Sequence, residues 1–244
     1  MSGMSAHRRI LTALALSAAV ALSALVLRSA VAMPPGSFVP PSFITHSAML
    51  VCTLALAWLF SKGKLAEFGF TLGTYRWSPR ILLWVLPMAA LSTLGAFVAP
   101  EGGGGGGPAE GLSRVQLVLF VWIYASVCEE VLTRGLLQTL LAAWPGRTRE
   151  QRVAPPDAAE QAVGRRFWSM PVVVSALFFG AMHLVLVRSM GARAAPLIVL
   201  TILLGFLAAR YRERTGSLIP AIIVHALFNV GAMLPVWIVQ AVRG

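Results

Sequence analysis

Residues 115–141 read VQLVLFVWIYASVCEEVLTRGLLQTLL. The run is apolar enough to cross a bilayer, yet it holds Glu129 and Glu130 side by side near its middle and Arg134 one helical turn further on. A charge at the bilayer centre costs roughly 2.5–3.5 kcal/mol even on lenient insertion scales, so an ionisable residue there is by default functional. The chain has nine acidic residues, and these two are the only ones that fall inside apolar stretches.

The rest of the sequence is of the same kind. Of its 244 residues, 57% are hydrophobic and 12% charged, and the mean hydropathy is +0.77. A soluble domain of this length could not hide that much apolar surface, which makes the class an integral membrane protein. Seven apolar segments stand out, at about 10–27, 43–60, 81–99, 115–141, 170–188, 194–209 and 217–239. Each approaches the roughly 20 residues that span the hydrocarbon core, the sixth being short. The predicted fold is therefore an all-α, polytopic bundle of about seven transmembrane helices. Two parts are expected: N-terminal helices with a Gly-rich external loop over 1–112, and a second helix bundle over 113–239.

Charge placement orients the chain and excludes one class of partner. The net charge of +11 would suggest nucleic acid in a soluble protein, but nearly all the charges lie between apolar runs. With the N-terminus inside, the internal segments collect fourteen Lys and Arg and the external ones five. That asymmetry predicts an N-in, C-out arrangement in a lipid bilayer, the plasma membrane of a bacterium fitting best, with no nucleic acid bound. His7-Arg8-Arg9 precede the first apolar run, and Ala30-Val31-Ala32 resembles a signal-peptidase site. The run Ile10–Leu27 exceeds the usual signal core of about 7–15 residues, so retention as a first helix is expected. The six glycines at 102–107 lack a following Gly-Lys-Ser/Thr and read as a linker rather than a phosphate loop. The segment from Trp144 to Ser169, with five arginines, reads as a polar loop facing headgroups or solvent. Trp58, Trp77, Trp122, Trp144, Trp168 and Trp237 are placed as an aromatic belt would place them. Gly180, Gly205 and Gly231 are suited to close helix approach.

Two further apolar segments contribute one buried histidine each. His183 lies in SALFFGAMHLVLV at 175–187, four residues after Phe179, and His225 lies in IPAIIVHALFNV at 219–230, four before Asn229. Residues four apart share a helix face, whereas neighbours diverge by about 100°. Glu130 and Arg134 can therefore neutralise each other, while Glu129 points towards the face of Ser126 and Thr133. His225 and Asn229 bring an imidazole and an amide to one side of their helix. A lone intramembrane histidine is as readily an interhelical hydrogen bond. A free carboxylate, two imidazoles and an amide on three helices together make a water-activating site. His46, near the end of the second segment with no polar companion in sequence, reads as interfacial. Cys128 has no adjacent base and does not read as a nucleophile; neither it nor Cys52 suggests a disulfide.

The chemistry narrows by elimination. No H-E-x-x-H and no G-x-S-x-G is present. What remains is a carboxylate acting as general base on water, with histidines that position the water or bind a metal. Such a set suits hydrolysis of an amide, with Asn229 and a histidine stabilising the oxyanion.

Glu129-Glu130-x-x-x-Arg134, Phe179-x-x-x-His183 and His225-x-x-x-Asn229, in that order on separate apolar spans, resemble the motifs of the CPBP intramembrane proteases, the CAAX-protease and bacteriocin-processing family that includes Rce1-like endopeptidases. The resemblance covers about 113–239, including the stretch from Gly205 to Asn229. It implies Glu129 as catalytic base, His183, His225 and Asn229 as the rest of the water and oxyanion site, and Glu130, Arg134 and Phe179 as its support. Relatives have been described both as metalloproteases and as metal-independent glutamic proteases. The cofactor expected is thus none or a divalent metal such as zinc, with Glu129, His183 and His225 as candidate ligands and metal-free chemistry preferred on the family precedent. The partner expected is a peptide or protein substrate at the membrane. The rival readings are a catalytically silent immunity or scaffold protein of the same fold, and a proton or ion carrier, which would more naturally show broken helices or repeats.

One expectation concerns depth. His225 lies about 10 Å from the near end of its segment and His183 about 20 Å from its own, both ends being on the same side of the membrane. Misplaced boundaries are the expected reason, staggered and tilted helices the alternative.

Overall fold

The computed structural model describes residues 5–34, 36–98, 111–142 and 169–243. The glycine run at 102–107 and nearly all of the polar loop at 144–169 lie outside them, as do Trp144 and Trp168. Among the described residues the longer helices are α1 (Ala6–Ala30), α2 (Ser42–Ser61), α3 (Val85–Val98), α4 (Arg114–Leu141), α5 (Met170–Met190), α6 (Ala194–Thr215) and α7 (Ile219–Arg243). Short 3₁₀ turns cover Leu65–Phe68 and Pro79–Trp84, and no strand occurs among the described residues.

Each expected apolar segment falls on one of these helices or runs into it. Among the described residues, five helices, α1, α2, α4, α5 and α6, have the length and composition to cross a membrane. The other two carry shorter apolar stretches, Pro79–Leu91 and Ile219–Pro235. Pro79 opens its stretch in 3₁₀ rather than α geometry, and Pro235 lies inside α7, which continues through it to Arg243.

α4 is the axis of the bundle. Every residue from Val131 to Gln138 is buried, as befits a helix surrounded on all sides. Leu132, Leu136, Leu137, Leu140 and Leu141 pack with Ala13, Val20 and Ala24 of α1 and with Met49 and Ala57 of α2. A second cluster joins Ile81, Met88, Phe179, Leu204, Val224 and Phe228. Apolar burial does not drive helix association in lipid, so tight contact and polar links must hold the bundle. Among the polar links that leave α4, Ser175 Oγ donates to Thr133 O at 3.1 Å, Arg134 Nη2 to Gly205 O at 2.9 Å, and Gln138 Nε2 to Ala209 O at 2.9 Å. The last two advance four residues on both helices, so α4 and α6 run parallel in step.

Small residues set the spacing. A Cβ on Gly205 would come within 2.9 Å of Ala176 Cα, so only glycine admits α6 this close to α5. Side chains at Gly180 and Gly231 would likewise collide, with Ile202 and with the backbone of Val85. Trp58 and Trp77 are exposed, but Trp122 and Trp237 stack on each other at 5.1 Å, with Arg114 over Trp237 at 5.7 Å. The indoles of Trp122 and Trp237 thus join α4 to α7, a packing role in addition to any interfacial one.

The depth expectation is corrected. α5 begins at Met170 and α7 at Ile219, within two residues of the positions read from sequence, so misplaced boundaries are not the cause. The helices are staggered. The turn before α7 is tied to the segment after α2, through Leu218 N to Gly69 O at 3.0 Å and Thr74 N to Thr215 O at 2.9 Å. His183 lies 13 residues past the start of α5 and His225 six past the start of α7, a difference of roughly 10 Å at 1.5 Å per residue, although both rings approach the same carboxylate.

Candidate active site

Glu129 and Glu130 occupy a short α-helical stretch, Ser126–Glu130, flanked within α4 by π-type turns over Leu117–Ala125 and Val131–Leu137. Such widened turns recur at functional sites. Adjacent positions on a helix diverge, and the two carboxylates accordingly face different surroundings. Glu130 is fully buried, whereas Glu129 keeps 14% of its side chain exposed.

Glu130 is held by ionic partners. Arg134 Nη1 donates to its Oε1 at 3.1 Å, both side chains being 0% exposed. His225 Nδ1 meets the same oxygen at 2.9 Å. Arg134 also donates to Thr133 Oγ1 and to Gly205 O, and its guanidinium lies 4.6 Å over the Phe179 ring. A buried charge requires this density of partners, since an unpaired one would cost several kcal/mol. Phe179 is the hub beneath the site. It meets His183 edge-on at 4.8 Å and His225 at 5.3 Å, so one ring sets the attitude of two imidazoles and a guanidinium.

Glu129 lies among three imidazoles. His225 Nε2 is 3.8 Å and His183 Nε2 4.0 Å from its Oε2, and His46 Nε2 is 3.2 Å from its Oε1. Oε2 is buried with no hydrogen-bond partner. The tautomers follow from the far side of each ring. His46 Nδ1 faces Ser42 O at 2.8 Å and His183 Nδ1 faces Phe179 O at 2.9 Å. A carbonyl only accepts, so both Nδ1 atoms carry hydrogen. His225 Nδ1 faces an ion-paired carboxylate and does the same. In neutral form all three rings turn an Nε2 lone pair towards Glu129. His183 stands where α5 tightens from α-helix (Met170–Met182) to 3₁₀ (His183–Leu186).

The structure thus brings Glu129, His183 and His225 together and sets Glu130, Arg134 and Phe179 behind them. Asn229 meets α4 about one turn earlier, its Nδ2 donating to Val121 O at 3.0 Å and to Ser126 Oγ at 3.1 Å. The shared face of His225 and Asn229 thus meets α4 at two levels, His225 at Glu130 and Asn229 at Val121 and Ser126. His46 is a correction: read as interfacial and without polar company, it is the imidazole nearest to Glu129. Its companion lies 83 residues away in sequence, so no spacing pattern could reveal it. Cys128 is fully buried and Cys52 is an exposed free thiol.

Among the described residues, no group of three or more His, Cys, Asp or Glu is spaced to hold a metal ion.

Residues 111–231 match the family model of the Rce1-like type II CAAX prenyl endopeptidases. No curated protein and no solved structure matches the chain.

Proposed function

Because the chain belongs, through residues 111–231, to the Rce1-like type II CAAX prenyl endopeptidase family, a family of proteases, we propose that it is an intramembrane endopeptidase in which Glu129 activates water for attack on a peptide bond. The observation that carries this reading is the position of Glu129 Oε2, a buried acceptor flanked by His183 and His225 Nε2 at 4.0 and 3.8 Å. Two atoms about 4 Å apart can share a water at ordinary hydrogen-bond length.

The chemistry then runs through side chains alone. Glu129 takes a proton from the water as its oxygen bonds to the carbonyl carbon. The tetrahedral species collapses with cleavage of the C–N bond, and Glu129 returns the proton to the leaving amine. Arg134 and Glu130 hold His225 in register behind the reacting atoms. Asn229, bonded to Val121 O and Ser126 Oγ, would join the oxyanion site by exchanging the hydroxyl for the substrate oxygen; one such donor is worth roughly 3–4 kcal/mol in soluble enzymes.

The substrate is a peptide or protein reaching the site from the membrane, and the family name makes a prenylated C-terminus the first to try. Five apolar helices make the chain a multi-pass integral membrane protein. The charge asymmetry supports an N-in arrangement in a bacterial plasma membrane. A partner-binding protein of the same fold would not need a carboxylate oxygen aimed between two imidazoles.

The test is a profile of peptide N- and C-termini in membranes of cells carrying the wild type or Glu129→Gln at matched levels. Peptide ends absent only from the variant are expected, with a drop of about 10²-fold or more in their formation. Identical profiles would overturn the reading.

A further inference from the structure

The family match begins at residue 111, yet the imidazole nearest to the Glu129 carboxylate comes from α2, outside it. His46 Nε2 lies 3.2 Å from Glu129 Oε1, within hydrogen-bond range, whereas the other two imidazoles stand 3.8 and 4.0 Å from Oε2. The carboxylate is gripped by one oxygen and left open at the other.

The ring that grips it is itself immobilised. His46 Nδ1 donates to Ser42 O at 2.8 Å, one helical turn back. Its flank meets Tyr124 edge-on at 6.5 Å. Tyr124 in turn stacks on Phe43 at 5.0 Å, and its hydroxyl bonds Ser47 Oγ at 2.8 Å. These contacts fix the start of α2 against α4 close to the acid pair. With Nδ1–H committed to a carbonyl, Nε2 is the ring atom left to bond Oε1.

We propose that His46 is a positioning residue for Glu129, holding Oε1 so that Oε2 is presented to the water between His183 and His225. A glutamate has three side-chain torsions, and an unheld carboxylate would sweep its basic oxygen away from the reacting geometry. The inference rests on Glu129 being the base. It assigns α2 a part in the catalytic machinery that the matched segment does not contain.

Two substitutions separate holding from packing. His46→Phe keeps a ring against Tyr124 but has no nitrogen, while His46→Gln carries an amide N–H to similar reach. The readout is the formation rate of Glu129-dependent peptide ends in membranes at matched protein levels, with melting of each purified protein in detergent. His46→Phe is expected to slow formation about 10-fold or more, and His46→Gln to stay within about 3-fold of wild type, the size of losing or keeping one charge-assisted hydrogen bond. Should His46→Phe fold poorly, His46→Leu makes the same comparison. Wild-type rates in the apolar variants overturn the proposal. Equal losses in His46→Gln and the apolar variants also overturn it, since the ring would then be needed for something other than its grip on Oε1. Glu129→Gln in the same series tells the two failures apart. If it removes no peptide ends, the endopeptidase reading falls and takes this inference with it; if it does while His46→Phe is normal, only the inference falls.

Discussion

Arg134 of α4 and Gly205 of α6 are joined by a hydrogen bond from Nη2 to the glycine carbonyl at 2.9 Å, on a glycine whose Cα is pressed against Ala176 of α5. The support of the acid pair and the spacing of two helices thus depend on the same residue. Gly205→Ala would put a Cβ 2.9 Å from Ala176 Cα and 3.2 Å from its Cβ. Overpacking of this kind costs about 1–3 kcal/mol. A lower melting temperature in detergent and a partial loss of Glu129-dependent cleavage are expected together, because α6 cannot move without drawing its carbonyl from Arg134. A normal melt with normal cleavage would show that the helices have slack at this point.

Arg134 and Glu130 are both fully buried, so either alone is a liability. Arg134→Met should destabilise the bundle by about 3–5 kcal/mol, the cost of stranding a buried charge. The double variant Glu130→Gln, Arg134→Met should recover much of that stability while remaining impaired in cleavage, since His225 Nδ1 then faces a neutral amide. Melting curves of the single and double variants, with cleavage assayed alongside, check the sign. A double variant no more stable than Arg134→Met would mean that the pair is not what the fold misses.

Ser126 Oγ accepts from Asn229 at 3.1 Å and itself donates to Trp122 O at 2.7 Å. Ser126→Ala removes the partner that Asn229 would exchange for substrate. A stability loss of about 0.5–1.5 kcal/mol is expected, with cleavage maintained or raised because Asn229 is released in advance. If cleavage instead falls by as much as in Asn229→Ala, the asparagine serves as a brace and the oxyanion assignment is wrong.

Much of this arrangement was legible in the sequence, and the remainder was hidden for physical reasons. Apolar runs mark where helices form, because a segment in lipid must satisfy its backbone internally. The i to i+4 rule foretold the Glu130–Arg134 pair, and the three spaced motifs named Glu129, His183 and His225. Local patterns do not encode how helices are staggered or tilted, so the depth mismatch between His183 and His225 is not resolved by segment boundaries, which the structure leaves within two residues of the reading. They do not report π-type winding either, since Leu117–Ala125 and Val131–Leu137 contain no proline that would mark it. His46 is the clearest case. Its only sequence signature was a histidine one turn into an apolar helix, and its meaning came from a carboxylate on another helix.

Glu129 and Glu130 are a single peptide bond apart and differ in exposure, 14% against 0%. α4 therefore acts as a septum: on one side a carboxylate that is partly exposed and ringed by imidazoles, on the other one enclosed in protein against Arg134. On the proposed reading, the chain keeps a reagent and a counterion of the same chemical type side by side without their being interchangeable.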